Sequence, residues 1–354
     1  MSMHPLNRRD VVKSFAALAG GAAFGAAAQG STALGAPRPP LLRARRLQPG
    51  DTVALINPSN AIYERGRYGV AIESLQALGF KVREAPHLRA RYGQFAGTDA
   101  QRAADVNAMF ADTSVHGIMA MTGGSGGNRM LPLLDYELIR RNPKFLGGFS
   151  DITALINAVH ARTGLVTFHS PVAESEWNPF SVDAFRAIVM DAMAITLRNI
   201  PEKSDLLASK ADRITTFRSG VARGPLLGGN LAVLSSMAGS IYWPSFDGAI
   251  LALEDVNEFI YRVDRMLSTL KNAGVLQRLA GVVLGAFTNC TPGEGYGTLT
   301  LDEVFYDYIK GLNVPVFSGA SFGHIRRKYT LPIGLPLEMD ADAGTLRLLQ
   351  SAVT

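Results

Sequence analysis

Short hydrophobic runs alternate with segments of helical spacing in the part of the chain that follows residue 46. Consecutive apolar positions predict strands covered on both faces, and the helical spacing predicts amphipathic helices between them. The predicted strands cover residues 53–56, 81–85, 117–121 and 144–148, and the predicted helices cover residues 65–78, 101–110 and 131–140. This regular alternation predicts a parallel, doubly wound α/β sheet.

The pattern changes between residues 191 and 215, where polar and charged positions replace the alternation. Beyond this segment we predict strands at residues 249–253 and 281–285, a helix at residues 261–272, and short β-like segments near the end of the chain. A chain of 354 residues is too long for one core of ordinary size. We therefore predict an N-terminal α/β domain over residues 47–195 and a second domain over residues 216–354.

Residues 1–36 have the organisation of an export signal. Arg8, Arg9 and Lys13 precede a run at residues 15–28 that is rich in alanine and glycine, and small residues follow up to Ala36. The arginine pair resembles a twin-arginine signal. A retained membrane anchor is the alternative, but the run is shorter than the roughly 20 residues that span a bilayer. We expect cleavage near Ala36 and a periplasmic or otherwise exported mature protein without stable membrane insertion.

Charge and composition exclude several classes of partner. The net charge is +5, and much of the excess comes from arginines that precede residue 47. Because no basic stripe with interleaved aromatic residues occurs, we expect no nucleic-acid partner. Cys290 is the single cysteine, so no intramolecular disulfide can form, and we expect a small hydrophobic residue there rather than a nucleophile. The six histidines lack the spacing of metal ligands, and we expect no metal.

Three segments carry residues that could perform chemistry. Ser150 lies where a predicted strand passes into a helical run, a turn that exposes a nucleophile; the alternative is a helix N-cap. Glu254 and Asp255 end a predicted strand, where one of them could orient a histidine or bind a cation; the alternative is a solvated loop. His324 lies in a loop, where a surface position is the alternative. Together they supply a nucleophile, its base and an orienting carboxylate.

A glycine-rich segment at residues 122–127 follows another predicted strand and could offer backbone N–H groups to an oxyanion. It lacks the Gly-Lys-Ser/Thr sequence of a phosphate loop. The acidic residue about twenty positions on lacks the strand context of a dinucleotide site, so we expect neither kind of site here. His169 could be a ligand or line a site, but we expect it to pack near the first sheet.

Several motifs occur in the order that they have in a known family. In chain order they are Gly123-Gly124-x-Gly, Leu133-Leu134-Asp135-Tyr136, Phe149-Ser150-Asp151-Ile152-Thr153, Gly228-Gly229-Asn230-Leu231, Leu253-Glu254-Asp255-Val256, Tyr261-Arg262-Val263-Asp264-Arg265, Gly323-His324 and Thr330-Leu331-Pro332-Ile333-Gly334. On these residues the chain resembles the L,D-carboxypeptidases of the serine peptidase class, also called muramoyl-tetrapeptide carboxypeptidases. The resemblance covers nearly all of the predicted mature chain.

The resemblance implies a triad of Ser150, His324 and Glu254, with an oxyanion hole from the backbone N–H groups of Gly124 and Asp151. It implies release of the terminal D-alanine from murein tetrapeptides, a homodimer, and no metal or organic cofactor. The implied fold is an N-terminal parallel α/β domain plus a smaller β-rich C-terminal domain, with the site between them.

Two features depart from the family pattern. Many of its members act in the cytoplasm, whereas this chain carries a predicted export signal. The loop after His324 is also unusually basic, with Arg326, Arg327 and Lys328 in a row. Because a guanidinium can bind a carboxylate through two hydrogen bonds, we predict that Arg326 or Arg327 binds the free carboxylate of the substrate; ordinary surface charge is the alternative.

Two other functions remain open for this sequence. A peptidase of the same fold could cleave another amide, such as that of a microcin C-type peptidyl-nucleotide, and would need an aromatic surface such as Trp177 or Trp243 to stack the base. An inactive murein-binding protein is the other alternative. It would predict a broken triad, whereas all three residues are present.

Overall fold

The alternating pattern after residue 46 folds into a six-stranded, mostly parallel sheet. The computed structural model describes residues 38–202, 207–208, 212–293 and 297–354, so the predicted signal segment at residues 1–36 lies outside the described residues. The parallel strands are β1 (Thr52–Ile56), β2 (Lys81–Glu84), β3 (Gly117–Ala120), β4 (Phe145–Gly148) and β5 (Thr167–His169). Their order, β2-β1-β3-β4-β5, confirms the predicted doubly wound sheet and places ligand sites at the carboxyl ends of its strands.

The helices of this part of the chain connect the strands and begin at residues that the sequence marks. They are α1 (Arg65–Ala77), α2 (Asp99–Ala111), α3 (Gly127–Met130), α4 (Tyr136–Arg141), α5 (Thr153–Thr163) and α6 (Pro179–Phe185). Helix α2 starts with a capping box, in which the Thr98 hydroxyl accepts from the Gln101 N–H and the Gln101 side chain accepts from the Thr98 N–H. Helix α5 ends at Gly164, whose φ of 78° suits glycine.

The helix predicted over residues 131–140 is interrupted, so that prediction was wrong in its extent. A 3-10 turn at Leu131–Leu133 follows α3, and Leu134 then adopts an extended conformation. Asp135 starts α4 anew, because its side chain accepts a hydrogen bond of 2.8 Å from the Leu138 N–H. The aspartate is therefore an N-cap signal inside a pattern that otherwise has helical spacing.

The second sheet has eight strands and mixed direction. Its strands are β6 (Thr196–Arg198), β7 (Thr215–Arg218), β8 (Val221–Asn230), β9 (Ile250–Val256), β10 (Gly281–Thr288), β11 (Val316–Ser318), β13 (Pro336–Asp340) and β14 (Thr345–Leu348). Strands β8 to β11 are parallel to one another, and β7, β13, β14 and β6 pair antiparallel at the two edges. The associated helices are α7 (Leu231–Ser236), α8 (Ile260–Asn272) and α9 (Leu301–Ile309).

The two sheets exchange short segments across the predicted domain boundary. Strand β12 (Leu331–Ile333) comes late in the chain but pairs antiparallel with β5 of the first sheet. Strand β6 comes early but pairs with β14 of the second sheet. Each sheet therefore takes a strand from outside the range assigned to it, 47–195 or 216–354. These domain ranges stay a prediction.

Helix α5 packs closely against the end of β8, and three hydrogen bonds join them. The Asn157 side chain donates to the Gly228 carbonyl at 2.8 Å and accepts from the Gly228 N–H at 3.3 Å. The Asn230 N–H donates to the Thr153 hydroxyl at 2.9 Å. Gly229 has a φ of 132°, and a β-carbon there would lie 2.6 Å from the Thr153 hydroxyl oxygen. Only glycine permits this approach, which joins the first sheet to the second.

Both sheets are apolar on their inner strands, and the strands next to the site are buried along most of their length. Among the described residues, none of the helices combines the length and the apolar character that crossing a bilayer requires.

Burial of His160 on α5 predicts a pH-dependent stability. This imidazole is 5% exposed, lies 3.0 Å from the Leu165 carbonyl through Nδ1, and has its pKa lowered by burial from 6.5 to about 4. Between pH 6.5 and about 4, this imidazole is protonated in the unfolded chain but neutral in the folded chain. The free energy of unfolding therefore falls as the pH falls through this window. Protonation of His160 in the unfolded chain lowers the free energy of unfolding by about 3 kcal/mol at most.

We expect the variant His160→Asn to have a lower free energy of unfolding at pH 7 and a smaller loss between pH 6.5 and 4 than the wild type. Urea titrations at a series of pH values measure both quantities. The other buried titratable groups are the same in the two proteins, so the difference isolates His160. Parallel curves for variant and wild type would contradict the assignment.

Candidate active site

Ser150 occupies a strained turn between β4 and α5. Phe149 is extended, and Ser150 then takes a φ of 64°, a left-handed conformation that few residues other than glycine adopt. A 3-10 turn at Ser150–Ile152 leads into α5, whose N-cap is Ile152, without a side-chain cap. The N-cap alternative for Ser150 is therefore wrong. Strain of this kind concentrates at functional sites, where it holds a side chain exposed.

The structure brings Ser150, His324 and Glu254 into one hydrogen-bonded chain. His324 Nε2 lies 2.9 Å from the Ser150 hydroxyl oxygen, and His324 Nδ1 lies 2.7 Å from Glu254 Oε2. Because an ionised carboxylate can only accept, Nδ1 carries a proton, and in the neutral ring Nε2 is free to accept the serine proton. Glu254 is fully buried on β9, while Ser150 and His324 are partly exposed.

The loop that carries His324 approaches Glu254 through a glycine. Gly323 has a φ of 105°, and a β-carbon at that position would lie 2.8 Å from Glu254 Cβ and 2.8 Å from Oε2. On the other side, the Thr288 hydroxyl donates to the His324 carbonyl at 3.2 Å. The Phe149 ring lies against the imidazole, with 4.9 Å between the ring centroids. Backbone and ring contacts therefore fix the histidine on both sides.

The glycine-rich loop after β3 lies directly beside the serine. A β-carbon on Gly123 would lie 2.8 Å from Ser150 Cβ and 3.0 Å from its hydroxyl oxygen. The buried Asp151 carboxylate ties this loop to the serine turn, because its Oδ2 accepts from the Ser59 hydroxyl at 2.6 Å and from the Gly127 N–H at 2.7 Å. The backbone at Gly123, next to Gly124, therefore lies against Ser150, and the oxyanion role of the Gly124 and Asp151 N–H groups stays a prediction.

Comparisons with known proteins identify the family of the chain. The description "LD-carboxypeptidase N-terminal domain" matches residues 53–170, and "LD-carboxypeptidase C-terminal domain" matches residues 223–339. A putative carboxypeptidase of Streptomyces coelicolor is 39% identical over 88% of this chain and 98% of its own length. The chain belongs to the LD-carboxypeptidase family.

Two further relatives of this LD-carboxypeptidase have names that give a substrate. A probable murein peptide carboxypeptidase of Bacillus subtilis is 32% identical, over 84% of this chain and 91% of its own. A murein tetrapeptide carboxypeptidase of Pseudomonas aeruginosa is also 32% identical, over 80% of this chain and 91% of its own. These findings confirm the recognition of the family and the enzyme class expected from the sequence.

Solved structures confirm the two-domain α/β fold of the LD-carboxypeptidase. The muramoyltetrapeptide carboxypeptidase of Oxalobacter formigenes superposes with a TM-score of 0.72 at 26% identity, covering 84% of this chain and 97% of that one. The protein MccF in complex with glutamyl sulfamoyl guanosine superposes with a TM-score of 0.80 at 27% identity, covering 88% of this chain and all of that one.

The two arginines predicted to bind substrate are engaged elsewhere. Arg326 forms an exposed ion pair of 2.7 Å with Glu202. Arg327 pairs with Asp212 at 3.2 Å and donates to the Ile200 carbonyl at 2.7 Å. Within the part of the chain that the structure describes, neither guanidinium bonds to Ser150, His324 or Glu254. The carboxylate-binding role of these arginines stays a prediction, and their contacts do not support it.

Two further residues lie beside Phe149: Lys328, which sequence reasoning named only as part of a basic loop, and His169, which it expected to pack near the first sheet. Lys328 is 7% exposed, and its Nζ lies 3.9 Å from the centroid of the Phe149 ring; burial lowers its pKa to about 8 against the opposing attraction of Glu254. His169 at the end of β5 packs against Phe149, and burial lowers its pKa to about 4. The apolar segment that follows Lys328 is the one sequence signal that this lysine enters the core.

The neighbouring carboxylate Asp255 has a different task from Glu254. It accepts from the Asn230 side chain at 3.0 Å, the Ala232 N–H at 3.0 Å and the Val256 N–H at 2.8 Å. These contacts hold the start of α7. Burial raises the pKa of Asp255 to about 6 despite the three donors. Of the two candidate carboxylates, Glu254 is the one that meets the histidine.

The remaining candidates lie away from the reacting groups. Trp177 and Trp243 are half-buried and pack edge-on against Phe185 and Phe246. Cys290 is half-buried, and burial raises the pKa of its thiol, which makes it a poor nucleophile. In the described ranges, no three His, Cys, Asp or Glu side chains are grouped so that they could hold a metal ion.

The close contact between Gly123 and Ser150 predicts that one methyl group added at residue 123 lowers the hydrolytic activity. The variant Gly123→Ala should lower hydrolysis by the LD-carboxypeptidase on the order of 100-fold, because its β-carbon would displace the serine side chain by about 1 Å. Steady-state kinetics on a murein tetrapeptide measures the effect, and circular dichroism checks the fold.

The matched control for this variant is Gly69→Ala in helix α1, where a β-carbon meets nothing within 4 Å. It should retain wild-type activity and gain about 0.5–1 kcal/mol of stability, because alanine is the better helix former. Equal activities of the two variants would contradict the close contact at Gly123.

Proposed function

We propose that this protein is an exported serine L,D-carboxypeptidase that releases the terminal D-alanine from murein tetrapeptides. The observation that carries the proposal is the continuous chain from the Ser150 hydroxyl through both ring nitrogens of His324 to the buried Glu254. The relatives named as murein peptide and murein tetrapeptide carboxypeptidases support the substrate class.

In the proposed first step, His324 Nε2 takes the Ser150 proton while the serine oxygen attacks the carbonyl of the terminal peptide bond. The carbonyl oxygen becomes an oxyanion, which the N–H groups of Gly124 and Asp151 stabilise. The imidazolium at His324 is stabilised by the Glu254 carboxylate. It then gives its proton to the amine of the leaving D-alanine, and an ester on Ser150 remains.

The second step repeats the first with water as the nucleophile. His324 takes a proton from water, the hydroxide attacks the ester carbonyl, and the serine oxygen leaves with the proton that His324 returns. The products are the shortened peptide and the regenerated Ser150 hydroxyl. The buried position of Glu254 strengthens its interaction with the imidazolium, because little water screens the pair.

A peptidyl-nucleotide is the second candidate substrate, and the superposition with MccF bound to glutamyl sulfamoyl guanosine favours it. Stacking of a base needs an open aromatic face. Trp177 and Trp243, the two residues considered for this role, are both packed against phenylalanines, which favours the murein peptide. An inactive binding protein is disfavoured, because nothing would then maintain the short contacts of the triad.

We expect mass spectrometry to detect loss of one alanine from a disaccharide tetrapeptide incubated with the wild type. Ser150→Ala should reduce the rate by about 10⁴-fold or more, because it removes the nucleophile. Glu254→Gln should reduce it by about 10³–10⁴-fold, because the ring is then held in the wrong tautomer.

Ser74→Ala is the matched control, because Ser74 is a serine of helix α1 whose hydroxyl bonds only to the Val70 carbonyl. It should keep wild-type activity. An intact tetrapeptide beside a cleaved peptidyl-nucleotide would move the assignment to the second candidate. Full activity of Ser150→Ala would remove the serine from its role.

The proposal includes export through residues 1–36, on the strength of Arg8-Arg9 and the mildly apolar run that follows. An exported enzyme would act on the intact sacculus or on peptides released from it. The homodimer implied by the family resemblance stays a prediction.

Fusion of residues 1–36 to a fluorescent reporter that folds before transport should direct the reporter to the periplasm. The double change Arg8→Lys and Arg9→Lys should abolish this, because the twin-arginine route reads the arginine pair. Fractionation of cells measures the distribution, with a reporter that lacks the segment as the control. Equal export of the lysine variant would contradict the proposed route.

A further inference from the structure

One cation of the basic loop after His324 has neither a hydrogen-bond acceptor nor a carboxylate partner among the described residues. Arg326 and Arg327 pair with Glu202 and Asp212, as described above. Lys328 differs from both, since among the described residues no acceptor lies within hydrogen-bond distance of its Nζ and no carboxylate lies within ion-pair distance. It is also the most buried of the three, at 7% exposure. An ammonium on a side chain with so little access to water is stabilised when an anion binds it.

The position of Lys328 is held firmly from the backbone. Its N–H donates to the Ser181 hydroxyl at 3.1 Å, at the start of α6. The next residue, Tyr329, donates its N–H to the Ser321 carbonyl at 2.7 Å, which closes the loop that contains His324. The lysine and the histidine therefore lie at two points of one closed loop, whose hydrogen bonds hold the Lys328 backbone relative to His324.

Lys328 and His324 both lie against the aromatic ring that directly precedes Ser150. Both Lys328 Nζ and the His324 ring contact the ring of Phe149, at 3.9 Å and 4.9 Å from its centroid, and Phe149 directly precedes Ser150. In the proposed reaction, His324 gives its proton to the amine of the leaving residue. The leaving residue must therefore lie beside His324, with its α-carboxylate two bonds from that amine.

We propose that the Lys328 ammonium binds the free α-carboxylate of the substrate's C-terminal residue and so restricts cleavage to the last peptide bond. This inference rests on the proposed function, since it places the leaving D-alanine between His324 and Lys328. The carboxylate supplies the anion that the protein itself does not offer to Nζ. The assignment replaces the arginines of the same loop as the carboxylate-binding residue.

An electrostatic role of Lys328, acting on the Glu254–His324 pair, would make a different prediction. Its charge also interacts with Glu254 and Glu176. If the ammonium acted only through the Glu254–His324 pair, its removal would slow every substrate by the same factor. A carboxylate-binding residue acts only on substrates that have the carboxylate. The comparison therefore needs two substrates that differ at this group alone.

The test uses the mature enzyme, without the predicted signal segment, and two substrates. One is a tetrapeptide that ends in free D-alanine, and the other is the same peptide ending in D-alaninamide. The wild type should prefer the free acid on the order of 100-fold in kcat/KM, a typical effect of removing one partner of a buried charge pair. Lys328→Met should lose this preference, because its kcat/KM should fall on the free-acid peptide and not on the amide. Lys328→Arg should retain most of it.

Lys144→Met is the matched control, since Lys144 is another buried lysine but bonds to the Met109 carbonyl away from the site. It should keep the preference for the acid. If Lys328→Met does not fold, Lys328→Gln provides the same test with a polar side chain. Equal losses on both substrates, or an unchanged preference, would overturn the carboxylate role and leave the proposed function standing. Failure of the wild type to cleave either peptide would instead remove the proposed function itself.

Discussion

The close approach of α5 to the end of β8 holds the site together. Ser150 begins the 3-10 turn that leads into α5, and Asn230 at the end of β8 is paired with Glu254 on β9. Three hydrogen bonds between α5 and residues 228–230 therefore determine how far the serine lies from the carboxylate. Only residues without a side chain fit at the contact, so the glycine pair before Asn230 is a geometric requirement of the triad.

Burial alone does not decide what each carboxylate of the site does. Glu254, Asp255 and Asp151 are all buried, yet each meets a different set of donors. Asp255 and Asp151 bind backbone N–H groups and hold neighbouring segments in place. Glu254 binds one ring nitrogen through Oε2, and its Oε1 has no hydrogen-bond partner among the described residues. It is the one whose charge remains available to a developing imidazolium.

The sequence predicted the first sheet well, because its strands are apolar at consecutive positions and its helices have regular spacing. It singled out Ser150, Glu254 and His324 because each lies at or after the end of a predicted strand, where parallel sheets expose their loops. It did not predict the break before α4, since Asp135 lies inside a helical pattern. Nor did it separate Lys328 from Arg326 and Arg327, because charge alone does not show which of three adjacent cations turns inward. Pairing partners such as Glu202 and Asp212 are distant in sequence and become visible only in the fold.

Strand β12 has a consequence for the order in which the molecule can form. It completes the first sheet beside β5, although 161 residues, 170 to 330, separate the two strands in sequence. During synthesis, the edge of β5 therefore stays open until residues 331–333 have left the ribosome. Contacts between distant segments of a chain also slow folding, because a long loop must close before they form. The turn at Ser150 is among the first segments of the site to be synthesised. The sheet that carries it is complete only after β12, near the end of the chain, has been synthesised.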